Sequence, residues 1–186
     1  MTGPLAFAAP QDWRAWLEAH HVTATEITLK LYKKASGTPS ITWEQAVIEA
    51  LAYGWIDGVK RPGGEDHWLQ RFTPRKARSG WSQKHRTHVE RLIAEGRMAP
   101  AGLKQVEAAK ADGRWDAAYA GGKDAQVPQD FLDALTPAAA ATYATLNARN
   151  RFALYYRLTT AKRPETRAKR FGEFMAMLER GERPYP

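Results

Sequence analysis

The chain has 186 residues, 44% hydrophobic and 26% charged. That balance fits one globular domain and excludes a disordered or fibrous chain. There is no cysteine, which excludes disulfides, thiol nucleophiles and thiolate metal sites. A net charge of +8 admits anionic partners.

In chain order, "PQDWRAWLEAHH" predicts a first helix with Trp13, Trp16 and Leu17 on one face. His20 and His21 sit just past its end, where histidine complements the helix dipole. "EITLKLYKK" has two readings. Ile27, Leu29 and Leu31 alternate as in a strand, and Glu26 to Lys34 can also wind as a helix. "TWEQAVIEALAYG" predicts a helix capped by Thr42, with Gln45 at the capping-box spacing and Gly54 as the stop. Its stripe of Trp43, Ala46, Val47, Ala50 and Leu51 is expected in the core.

"GWIDG" and "HWLQRFTPR" predict two short extended segments joined by "RPGGED". Ser82 caps a helix over "QKHRTHVERLIAEG", and "PAGLKQVEAAKADG" is the next. Residues 121–129, "GGKDAQVPQ", are the best linker candidate. Further helices follow over "DFLDAL", "TPAAAATYATLN" and "NRFALYYRLTTAKR", the second with Pro137 in its first turn behind Thr136. The last, "PETRAKRFGEFMAMLERG", has Phe171, Phe174, Met175 and Leu178 on one face. The expected fold is mostly α: a single helical domain with a small β-hairpin, of two or three strands, near residues 55–75. Residues 1–120 form its N-terminal region with the hairpin. Residues 130–186 form C-terminal helices packed in the same domain.

Four stretches carry a family resemblance: "PSITWEQAVIEALAYGWIDG", "RFTPRKARSGWS", "GRMAPAGLKQVEAAKADGRW" and "AKRPETRAKR". They resemble the signature stretches of the YdeI/OmpD-associated, or bacteriocin-protection, family, from about Trp13 to about Leu178. The resemblance implies a small, mostly helical bacterial protein with no established reaction and a role in stress or antimicrobial-peptide protection. The start "MTGPLAFAAPQDW" has no basic segment followed by an apolar run, and no stretch reaches the roughly 18 apolar residues of a membrane span. The expected location is therefore cytoplasmic.

Positive charge sits in two blocks. Residues 60–91 hold nine Lys or Arg against three Asp or Glu, and residues 149–186 hold ten against four. The first block overlaps a run of tryptophans, so an anionic small molecule is the expected partner. Its expected site comprises Trp55, Asp57, Arg71, Arg75, Arg78, Ser79, Trp81 and Ser82. Arginine on an indole can still fork onto an acid, and the helix start after Ser82 favours an anion. Arg75 is expected as a surface donor. The same tryptophans also fit core anchors, and Asp57 followed by glycine also fits a turn.

A nucleic-acid alternative uses both basic blocks, residues 60–91 and 149–186, with Lys162, Arg163, Arg167, Lys169 and Arg170 along a phosphate backbone. An enzymatic alternative makes Asp57 an acid or base if the fold brings it to His67 or His85. His85 and His88 share a helix face, but no third ligand follows in pattern, so no metal site is expected. No motif for a nucleotide cofactor or a nucleophilic serine is present, and no cofactor is expected.

Overall fold

The computed structural model describes residues 3–121 and 124–186. The chain divides into two units, Met1–Asp116 and Ala117–Pro186. The first unit runs α1 (Pro10–His20), β1 (Ile27–Tyr32), a 3-10 turn (Lys34–Ser36), α2 (Trp43–Ala52), β2 (Trp55–Pro62), β3 (His67–Pro74), α3 (Gln83–Ala94) and α4 (Pro100–Ala111).

The expectation of a mostly α, single helical domain is corrected here. The first unit is built on a three-stranded antiparallel sheet in the order β1-β3-β2, so the chain is helix-rich mixed α/β and not all-α. The strand reading of residues 27–32 prevails because alternation, not helical period, matches what is buried. Ile27, Leu29 and Leu31 are buried and stand opposite Phe72, Gln70 and Trp68 of β3. Strand β3 thus has partners on both edges.

Helices α1 and α2 cover this face. Trp13 and Leu17 are fully buried, the Trp13 ring lies 5.6 Å from that of Phe72, and Trp13 Nε1 donates to the Ala46 carbonyl at 3.0 Å. The capping box of α2 forms as expected: Thr42 accepts from Gln45 N, and the Gln45 side chain accepts from Thr42 N. Ala46, Val47, Ala50 and Leu51 are buried. Trp43 departs from its stripe. It occupies the first position of α2, beyond the reach of the core, and is only half-buried.

Two glycines shape the end of the sheet. Gly54 ends α2 with φ 75°, a left-handed conformation that suits glycine. Gly102 lets α4 approach the end of α2. A Cβ there would lie 2.2 Å from the Ala52 carbonyl oxygen. Glu49, also buried, accepts from Arg14 at 2.8 Å and from Arg97, tying α1, α2 and the segment after α3 together.

The second unit contains α5 (Gln129–Asp133), α6 (Pro137–Ala144), α7 (Ala148–Thr159) and α8 (Pro164–Glu179). Phe131, Leu154, Leu158, Phe174 and Leu178 form its core, with Phe171 and Met175 partly buried against it. Of the expected linker, Gly122 and Lys123 lie outside the described residues, and Val127 is buried in this core. Thr136 caps α6, accepting from Ala139 N with Pro137 in the first turn.

Leu51→Ala should cost about 2–5 kcal/mol through the cavity it leaves. Gly102→Ala tests the close approach more sharply. Helix propensity alone would favour alanine by about 0.5–1 kcal/mol, whereas overpacking costs about 1–3 kcal/mol. Urea denaturation should therefore show a net loss for Gly102→Ala; a net gain would show that α4 can simply move away.

Candidate ligand site

The residues expected to form one cationic, aromatic surface separate into a buried group and an exposed group. Strand β2 begins inside. Trp55 is 1% exposed, and its indole N–H donates to the His21 carbonyl at 3.3 Å. Two residues later Asp57 faces the same side, opposite Phe72. Its Oδ2 accepts from Trp43 Nε1 at 3.3 Å, and its Oδ1 lies 3.8 Å from His85 Nε2.

Arg75 follows β3 and is 5% exposed, which corrects its reading as a surface donor. Its guanidinium lies 3.7 Å over the Trp81 ring and donates to the Gly80 carbonyl at 2.6 Å. Trp81 is buried in turn, packed edge-on to Trp115 at 4.9 Å. Ser82 is buried as the cap of α3, accepting from His85 N. Trp55 and Trp81 therefore anchor the core and offer no open face. The expectation fails because burial of an arginine depends on tertiary partners that local sequence does not reveal.

The remaining residues lie elsewhere. Arg71 is exposed and paired with Glu26 at 2.9 Å. In the β1–β3 register it stands opposite Thr28, away from the buried side. Arg78 is exposed, and Ser79 Oγ accepts from Lys76 N at 3.0 Å. Of the two histidines considered for Asp57, the fold supplies His85; His67 bonds instead to Asp66 at 2.6 Å. His85 and His88 turn to different carboxylates, since His88 lies 3.5 Å from Glu44.

Burial dominates the electrostatics of the inner group. It raises the Asp57 carboxyl above its usual range, against the opposing effects of the Trp43 hydrogen bond and the Arg75 charge. It lowers His85 from 6.5 to about 4, helped by the positive charge of Arg75. His85 is thus neutral at pH 7, leaving one carboxylate beside one guanidinium.

Three clefts differ in what lies beside their cations. In one of about 440 Å³, Arg14 and Arg97 are paired with the buried Glu49. In another of about 400 Å³, Arg71 is paired with Glu26, and Arg61 lines the same cleft. The third, about 650 Å³, is lined by Tyr32, Lys33, Lys34, Ile41, Trp43 and Trp68 among others, and no Asp or Glu lines it. Lys33 Nζ donates to a neutral partner, the Glu65 carbonyl, at 2.6 Å. Trp43 and Trp68 are half-buried. Lys60 Nζ stands 4.6 Å from the Trp68 ring, and Lys84 Nζ 5.3 Å from that of Trp43. Sequence reading assigned Trp43 to the core and passed over Lys33 and Lys34. The available signal was the position of Trp43 beside its cap, one turn before the rest of its stripe.

A sheet-based, helix-rich unit with an aromatic, lysine-flanked cleft, followed by a helical unit, is the class of protein these features define. The chain belongs to the family described as a domain of unknown function, DUF8412, whose model matches residues 5–105. Residues 124–181 match the family described as bacteriocin-protection, YdeI or OmpD-associated, the one its motifs resemble. That match is confined to the C-terminal part. No curated protein and no solved structure matches the chain.

The buried histidine sets a pH dependence. Below about pH 6.5 the unfolded chain takes up a proton at His85 that the folded protein refuses until about pH 4. Stability is therefore lost as pH falls through that window, at about 1.4 kcal/mol per pH unit. Asp57, with its raised carboxyl, works in the opposite sense and offsets part of the loss. Between pH 7 and 5, wild type should lose about 2 kcal/mol more than His85→Gln in urea denaturation. Equal losses would show that His85 is not held neutral.

Proposed function

We propose that the chain is a non-enzymatic, cytoplasmic protein of the bacteriocin-protection type that holds an anionic ligand in the cleft beside Trp43 and Trp68. The observation that carries this reading is the contrast between clefts. Arg14, Arg97 and Arg71 in the other two are paired with glutamates that line those clefts, whereas no Asp or Glu lines the cleft of Lys33 and Lys34. An anion placed there gains Coulomb energy with no carboxylate in the cleft lining to compete, and Lys33 would exchange the neutral Glu65 carbonyl for a charged acceptor. The site keeps the cationic, aromatic character expected from sequence and changes the residues that supply it.

Two alternatives draw on specific observations. Asp57 and His85, at 3.8 Å, have the opposed shifts of an acid/base pair. Turnover lost in Asp57→Asn with binding retained would be the mark of that reading. Nucleic-acid binding by the second basic block draws on the exposed Lys162 and Arg163. Three of its other cations have local partners: Arg167 with Asp130 at 2.7 Å, Lys169 with Glu173 at 3.9 Å, and Arg170 with the Arg157 carbonyl at 2.7 Å.

A thermal-shift screen against anionic metabolites tests the proposal, since a ligand at about 100 times its Kd adds about 2.7 kcal/mol to apparent stability. The double variant Lys33→Glu, Lys34→Glu should lose that stabilisation while unfolding within about 0.5 kcal/mol of wild type, as exposed positions do. Stabilisation that survives the double reversal would rule this cleft out.

A further inference from the structure

We infer that the ligand is a flat aromatic ring carrying an acidic group, with the ring against Trp43 or Trp68 and the acid toward Lys33 and Lys34. This rests on the cleft being the anion site. The cleft is far larger than a small inorganic anion requires, and its size falls in the range for drug-sized molecules, about 300–1,000 Å³. Its walls supply two kinds of surface at once. Two half-buried indoles offer planar apolar faces, and two lysines offer charge. A ring stacked on an indole is worth about 1–3 kcal/mol regardless of the ring's identity, as aromatic platforms for nucleobases show.

The Trp43 platform is also held in place. Its ring nitrogen donates to Asp57, and Asp57 is fixed by its place in β2 opposite Phe72. An indole tied by its N–H cannot swing out of the cleft without abandoning a half-buried carboxylate. Asp57 therefore acts as a positioning residue for the ring that meets the ligand, which gives the buried pair a role without any chemistry at Asp57. Pre-fixing the platform removes an ordering cost that binding would otherwise carry.

Four probes separate ring from acid: adenosine 5′-monophosphate, phenyl phosphate, ribose 5-phosphate and adenosine, each titrated calorimetrically into the full chain. At least one of the two probes carrying both groups should bind about tenfold or more tighter than ribose 5-phosphate and adenosine, a difference of about 1.4 kcal/mol. If both do, the ligand is a simple aryl acid; if only the nucleotide does, it is a nucleotide. Trp43→Phe should keep this preference and Trp43→Leu should lose it. Asp57→Asn, which keeps an acceptor for the indole, should bind better than Asp57→Leu.

Ribose 5-phosphate binding as tightly as the ring-bearing phosphates would overturn the ring inference and leave the anion reading standing. Adenosine binding as tightly as its monophosphate would overturn the anion reading itself, and so would silence from all four. A single-stranded octanucleotide binding about tenfold tighter than the mononucleotide would replace the single ring by a strand.

Discussion

The first unit depends on satisfying both edges of β3. A strand buried on one face must pair its backbone N–H and C=O groups on either side, because an unpaired buried group costs as much as a lost hydrogen bond. Strand β1 supplies one side and β2 the other. That arrangement fixes the register, and the register fixes everything nearby. It sets Leu31 and Pro62 on either side of Trp68, and Asp57 beside Phe72. The register shift between Asp57 and Lys60 then brings Lys60 level with Gln70, two residues from Trp68, with its ammonium near the indole. The cleft is thus a product of sheet geometry, lined by Trp68 of the central strand and by the segment that leads from β1 into α2.

Local chemistry was legible where a few neighbouring residues decide the outcome. The Thr42 capping box, the Ser82 cap, Pro137 in the first turn of α6 and the glycine stop after α2 all appear where the sequence places them. Residues 27–32 were harder. Their apolar spacing admits two periods, and only the partner strand selects between them. For that reason the expected fold class confined its strands to residues 55–75 and left β1 outside. The candidate site was legible in composition and not in position. That Trp and basic residues would converge near β2 and β3 was readable, but which of them remain accessible depends on contacts made from α2, α3 and Trp115.

The inner cluster shows how such contacts turn charge into structure. Arg75 brings a positive charge where Asp57 brings a negative one, and Trp81 covers the guanidinium face. Removing the Asp57 charge alone would deprive the buried Arg75 of a nearby negative charge, which is costlier than losing an exposed pair. Burial, helped by the Arg75 charge, keeps His85 a neutral imidazole at pH 7. A charge count from sequence treats Arg75 as available. The fold uses it to hold the turn after β3, where its backbone N–H also bonds to the Gly54 carbonyl at 2.9 Å.

The same reasoning explains why lysines, and not the more numerous arginines, supply the charge at the cleft. Arginine presents a rigid fork that matches carboxylates and carbonyls, so a folding chain tends to consume it in fixed contacts. Arg14, Arg71, Arg97, Arg114 and Arg167 each end on a carboxylate, and Arg86 and Arg170 end on backbone carbonyls. Lysine is a strongly hydrated point charge on a flexible stem, and structure holds it less often. Lys33, Lys34 and Lys60 remain exposed around two indoles. Two of these three lie outside the basic block that the sequence makes conspicuous. Counting cations along the chain therefore does not by itself locate a ligand site, and subtracting those held by carboxylates narrows the search.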